Sequence, residues 1–234
     1  MTNSSILDAF ERFWEHVTTA LGKKSDIDHT HAIIPRNLID NSDFTNPVNQ
    51  RGQTLYSIYN NGMTIDRWKL GSSSPVSVSV IVNENGLTVN FNNSPNPFAT
   101  MRQRIPEGLL SPDKKYTFAV YYASKGLRVS DHSANSVSTY PRIDKYGDTY
   151  YAEFSMEEDE TVVWAALYEG EYTVDTLPEY QPKGYGAELL ECQRYYQIRS
   201  TNNVPAVDMR PTMISSSPTI TSVSGGYAYS VEGF

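Results

Sequence analysis

A chain of 234 residues can hold one sizeable domain with an appendage, or two small domains. Apolar residues make up 39%, enough for a core, and no run reaches the ~18 apolar residues of a membrane span. The net charge of −8, with no basic stripe, argues against phosphate-backbone binding as the main task, and the single cysteine, Cys192, excludes an intrachain disulfide framework.

The start, MTNSSILDAFERFWEHV, lacks the basic head and small-residue cleavage site of a signal peptide, so synthesis in the cytosol is expected. Residues 5–21, SILDAFERFWEHVTTAL, predict the one strong helix before residue 180. Ser5 and Asp8 form an S-x-x-D capping box, and Gly22 with Lys23 and Lys24 ends the segment. Ile6, Phe10, Phe13, Val17 and Ala20 recur at spacings of four, three, four and three, the apolar seam of a coiled coil. At 1.5 Å per residue this is a rod of about 25 Å, marginal alone in water. The seam must pack against identical chains or fold back on its own domain. The polar GKKSDIDHTH that follows reads as a spacer and favours self-association, making residues 1–24 a stem for oligomerisation and attachment.

Residues 25–36 form a neck that carries His29 and His31. In an extended chain residues i and i+2 point the same way, so both imidazoles face one direction. Two ligands are too few for a closed zinc site or a three-ligand catalytic one. About a threefold axis, however, six imidazole nitrogens suit an octahedral ion such as iron or nickel. The alternative is a solvated polar linker in which Asp28 and Thr30 make turn hydrogen bonds.

From residue 37 to about 182 the texture is β. MTIDRWKL (63–70), VSVSVIV (76–82), LTVNF (87–91), TMRQRI (100–105), YTFAVYYAS (116–124), TYYAEFSM (149–156) and TVVWAALYEG (161–170) are short runs, several alternating with period two. SSSP, NENG, NNSPNP and SPDKK punctuate them, and no long helical segment intervenes, so an antiparallel β-sandwich is expected. YGAELLECQRYYQIRS (185–200) begins as a short helix through Glu188 to Glu191, and the remainder to residue 234 reads as closing strands.

The residues offer no catalytic constellation. His132 sits between Asp131 and Ser133, sequence neighbours that cannot converge as a nucleophile, base and orienting acid must, and no G-x-S-x-G elbow is present. EEDE (157–160) reads as a solvated turn, and Cys192 as a small buried residue. No phosphate loop or dinucleotide fingerprint occurs, and the chain is read as a non-enzyme. On a strand Asp66, Trp68 and Leu70 share one face and Arg67 with Lys69 the other, which makes Trp68 a core residue, as is expected of Trp164. Among the 17 tyrosines, Tyr121, Tyr122, Tyr140, Tyr146, Tyr150 and Tyr151 are candidates for stacking on sugar faces. The loop YPRIDKYGDTYY adds hydrogen-bonding groups, so Tyr140, Arg142, Asp144, Tyr146, Asp148 and Tyr150 form the candidate ligand site.

Three stretches carry a family resemblance. NLIDNSDFTNPVNQRGQTLY (37–56), with TIDRWKL after it, resembles the opening of β-sandwich modules in bacteriophage tail-fibre and prophage structural proteins. ELLECQRYY (188–196), followed by VPAVDMRPTM and PTIT, is similar to the closing motif of that group, and the short helix before His-x-His resembles the stem of trimeric phage fibres. The resemblance implies a homotrimeric virion appendage with a jelly-roll head over residues 37–234, closing through 185–234, like a carbohydrate-binding module in contact with the bacterial surface. Sugar-binding relatives often follow the phenylalanine of this opening with a glutamate that helps hold calcium; here Phe44 is followed by Thr45, so a calcium site is not expected. The expected function is non-catalytic host attachment, with a head-fibre, decoration or baseplate role among other virion proteins as the alternative. A glycan depolymerase is disfavoured because no long β-helical repeat is visible.

Overall fold

In a computed structural model of the protein, residues 13–15, 35–72, 77–92, 97–130, 140–205, 209 and 211–232 are described. The chain divides into two units, Met1–Ile34 and Pro35–Phe234. In the first, residues 13–15 are helical, and Phe13 and Trp14 are 63% and 58% exposed. The other seam positions, Ile6, Phe10, Val17 and Ala20, lie outside the described residues, as do His29, His31 and His132. Among the described residues no helix is long and apolar enough to cross a membrane.

The second unit is mainly β. Its strands are β1 (Leu55–Tyr59), β2 (Asn61–Met63), β3 (Lys69–Ser72), β4 (Ser77–Asn83), β5 (Gly86–Asn90), β6 (Ala99–Arg104), β7 (Tyr116–Tyr122) and β8 (Gly126–Val129). They continue with β9 (Arg142–Tyr146), β10 (Thr149–Met156) and β11 (Glu160–Glu169), then helix α1 (Tyr185–Gln193), β12 (Tyr196–Arg199), β13 (Thr219–Val223) and β14 (Gly226–Ser230). A six-stranded antiparallel sheet, β1-β4-β5-β11-β7-β8, faces a five-stranded one, β2-β3-β6-β10-β9, with a small sheet, β12-β14-β13, closing the chain.

Period-two alternation decides which side chains meet between the two large sheets. Val78 and Val80 of β4, Ala99 and Met101 of β6, Phe118 and Val120 of β7, and Phe154 and Met156 of β10 all point inward and are fully buried. At the centre the Phe44 and Trp68 rings meet edge-on at 5.2 Å, and Trp68 lies 5.5 Å from Phe154. NENG becomes the tight β4–β5 turn, and Gly86 there takes φ +131°, with a Cβ at this position falling 2.2 Å from the Val162 carbonyl oxygen of β11. Gly86→Ala is therefore expected to lose more than about 1 kcal/mol of stability, read as an earlier urea midpoint.

Two expectations about tryptophan strands are corrected. MTIDRWKL is not one strand: β2 ends at Met63, β3 starts at Lys69, and a turn intervenes in which Arg67 takes φ 72°. Asp66, Arg67 and Trp68 are consequently all buried, instead of Arg67 facing solvent. Trp68 is nevertheless core, and its indole N–H donates to the Asn41 carbonyl at 2.8 Å. Trp164 is only half-buried, because a register shift between Val162 and Trp164 breaks the alternation of β11. Its ring is sandwiched outside the sheet between Tyr121, at 5.7 Å, and Tyr180, at 4.6 Å.

The opening and closing motifs, far apart in sequence, are knitted together. Residues 37–44 run beside the second half of β11, through Leu38 N–H to the Leu167 carbonyl and Phe44 N–H to the Val163 carbonyl. The Gln103 amide of β6 both donates to and accepts from the Asp40 backbone. From the closing side, the Glu188 carboxylate of α1 accepts the Asn41 N–H at 2.7 Å, and the Tyr196 carbonyl accepts from the Gln50 amide at 2.8 Å. Arg51 binds both Asp66 and Glu232, while Glu232 also accepts the Arg67 N–H at 2.6 Å. The guanidinium groups of Arg51 and Arg67 lie 4.1 and 3.5 Å from the ring centres of Tyr196 and Tyr195.

Burial pushes the Asp66 carboxyl up to about 7; Arg51 opposes the shift and Glu232 reinforces it. A carboxyl raised on folding stabilises fully below its unfolded value, near 3.8, and loses that contribution as pH rises through about 7. The Glu153 and Glu188 carboxyls are raised in the same direction, chiefly by burial. The melting temperature is thus expected to be higher at pH 5.5 than at pH 8, with a shallower dependence in Asp66→Asn.

Candidate ligand-binding face

The hairpin β9–β10 carries most of the residues that the sequence nominates, and its register sorts them into two groups. Arg142 stands opposite Glu153, Asp144 opposite Tyr151 and Tyr146 opposite Thr149, all on the outer face of the five-stranded sheet. Tyr150 pairs with Lys145, and its ring packs against the core with Ile143. Tyr150 therefore does not join Tyr140, Arg142, Asp144 and Tyr146. With Asp148 it lines a cleft of about 310 Å³ at the hairpin end, shared with Arg104, Glu107 and Leu110. Tyr121 and Tyr122 separate likewise: Tyr122 is core, and Tyr121 stacks on Trp164 outside the opposite sheet.

Strand pairing extends the outer face into one continuous row, Met63, Lys69, Arg102, Glu153 and Arg142, crossing all five strands. Lys69, Arg102, Tyr151 and Glu153 were not among the sequence-nominated site residues, apart from Tyr151 as a stacking candidate. Only the alternation of TMRQRI hinted at Arg102, since nothing local says which strand will lie beside it. Glu153 is buried, and its carboxylate takes the Arg142 guanidinium at 3.0 Å and Arg102 at 3.8 Å. Burial raises the Glu153 carboxyl, with Arg142 pulling it back most. Arg142 also reaches Asp144 at 2.7 Å and lies 4.5 Å from the centre of the Tyr140 ring.

Aromatic rings rim this ionic row. Tyr146 is 49% exposed and meets Tyr151 edge-on at 5.5 Å, while Tyr140 leans on Phe98 at 6.2 Å. Tyr151 itself is buried, so fixed guanidinium forks beside the accessible Tyr146 and Tyr140 rings supply what a sugar ligand needs: charged donors for hydroxyl or acid groups, and flat apolar surface for C–H faces. Burial pushes the Cys192 thiol well up, in keeping with an inert core residue. EEDE is a turn only through Asp159: Glu160 is buried at the start of β11 and binds the Ser124 hydroxyl. Among the described residues no group of three or more His, Cys, Asp or Glu is placed to hold a metal.

Compared with known proteins, the chain matches no family model, no curated protein and no solved structure.

Proposed function

We propose that the protein is a non-catalytic bacteriophage fibre component, trimeric through residues 1–24, whose jelly-roll-like β-sandwich head attaches the virion to a glycan of the host surface. The observation that carries the proposal is the outer face of the five-stranded sheet, where a row of ionic side chains is rimmed by Tyr140 and by the exposed Tyr146, which the buried Tyr151 supports edge-on. Further support comes from the fibre-like opening and closing motifs and from Phe13, a seam position left 63% exposed on the single chain. Three heads on one stem would raise avidity by roughly 10²–10⁴ when geometry allows simultaneous engagement. His29 and His31 of three chains would then ring one axis and accept iron or nickel. Light scattering of the full chain is expected to give a trimer, whereas a monomer at micromolar concentration contradicts the stem. Elemental analysis should find at least one metal atom per trimer, lost on double substitution of His29 and His31 by alanine.

A second role, as a head-fibre, decoration or baseplate component, is favoured by one observation. On the outer face of the six-stranded sheet Leu55 pairs across strands with Ile81, and with Tyr59 they are 54%, 37% and 63% exposed, a surface suited to another virion protein. Saturable adsorption of the purified protein to cells of one bacterial strain supports attachment. Indifference to every strain of a panel supports the structural role.

A further inference from the structure

An amine and two carboxyl groups meet where the opening and closing motifs join, with water largely shut out. The Lys183 ammonium, in the turn leading into α1, lies 3.2 Å from Asp40 Oδ1 and donates to the Ile39 carbonyl at 2.7 Å. The two side chains are only 17% and 11% exposed. On the other carboxylate oxygen, Asp40 Oδ2, the Arg67 guanidinium sits at 3.3 Å, covered by the Tyr195 ring. Glu188 joins them from the first turn of α1, whose other buried side chain is Cys192. Its Oε2 accepts the N–H of Asn41, the residue after Asp40, while its buried Oε1 has no hydrogen-bond partner among the described residues. Burial raises the Glu188 carboxyl, Lys183 pulls it back and Asp40 pushes it further up, so both groups act on it. Two cations and two carboxylates balance here.

We infer that Lys183 and Asp40 condense to an intramolecular isopeptide bond, with Glu188 as proton relay and Arg67 on the oxygen that is kept. Amine and carboxyl are already in contact, which supplies the orientation that amide formation lacks in water. Glu188 Oε1 takes a proton from the Lys183 ammonium, and the freed Nζ attacks Asp40 Cγ to form the C–N bond. Charge gathering on Oδ2 in this step meets the Arg67 guanidinium. Two protons in all leave the nitrogen by way of Glu188 and depart on Oδ1 as the Cγ–Oδ1 bond breaks. One water is the only by-product, and no co-reactant is required. A buried ion pair, costly to desolvate, is replaced by a neutral amide, and Arg67 and Glu188 remain as one cation and one carboxylate. The bond ties residues 143 apart in sequence. A chain whose one cysteine permits no internal disulfide thereby gains a staple that reductants cannot open. Nothing in this chemistry depends on the attachment role.

The test is the intact mass of the purified full chain after incubation at neutral pH, which is expected to fall short of the sequence mass by one water molecule. Digestion should yield a branched peptide in which Lys183 Nζ is joined to Asp40, with no tryptic cut after Lys183. Lys183→Arg keeps the cation but cannot form the bond, and is expected to show its full sequence mass. Glu188→Gln keeps an acceptor for the Asn41 N–H but cannot relay the proton, and is expected to link at least about tenfold more slowly, read as mass against time. A wild-type chain that melts cooperatively yet has its full sequence mass overturns the inference, leaving an ion-pair cluster only. So does loss of one water without a branched peptide, which is dehydration at a single residue. Linking of Glu188→Gln at the wild-type rate overturns the part given to Glu188. The wild-type mass and digest need no variant, so they decide the bond even where a substitution prevents folding.

Discussion

Replacing Arg51 by alanine is expected to destabilise the β unit by about 3–5 kcal/mol, because it leaves two buried carboxylates without their shared cation. The Asp66 and Glu232 side chains are 0% and 1% exposed, and Arg51 is the guanidinium that binds both. The loss should exceed that of any exposed ion pair, such as Lys114 with Glu169, which water screens on both sides. Urea unfolding of Arg51→Ala and Lys114→Ala side by side gives the comparison. Acidification should restore part of the Arg51→Ala loss, since protonating Asp66 removes one of the stranded charges.

Trp68→Ala is expected to cost about 3–5 kcal/mol, a void at the meeting point of Phe44 and Phe154 that the sandwich cannot collapse to fill. It also leaves the Asn41 carbonyl without its indole donor. Trp164→Ala should cost less, since that ring is half-exposed and stacks on Tyr121 and Tyr180 outside the sheet, away from the core. Equal losses for the two tryptophans would contradict the placement of Trp164 outside the sheet.

What the sequence made legible was the local part of the fold. Alternation in VSVSVIV, TMRQRI and TYYAEFSM located β4, β6 and β10, and ELLEC located α1, because period and turn residues act within a few positions. Two errors had a common physical source. TIDRWKL reads as a strand until Arg67 finds Glu232, 165 residues away, as acceptor for its backbone N–H. Trp164 reads as core until a bulge turns it outward onto Tyr180. Both outcomes are set by tertiary partners that leave no mark in the neighbouring residues.

The candidate site was legible in part for the same reason. YPRIDKYGDTYY marked the β9–β10 hairpin, but period two along the pair sent Tyr150 inward while Arg142, Asp144 and Tyr146 stayed outside. Lys69, Arg102 and Glu153 join them only because β3, β6 and β10 are neighbours, a pairing that belongs to the topology and not to any one run.

Hydrogen exchange of the full chain, with and without a cell-surface glycan extract that retains it, tests most directly whether the head works through its five-stranded sheet. Slowed exchange is expected in β3, β6, β9 and β10 with β1 and β4 unchanged. Slowing confined to β1 and β4, around Leu55 and Ile81, would contradict attachment through the Lys69–Arg142 row.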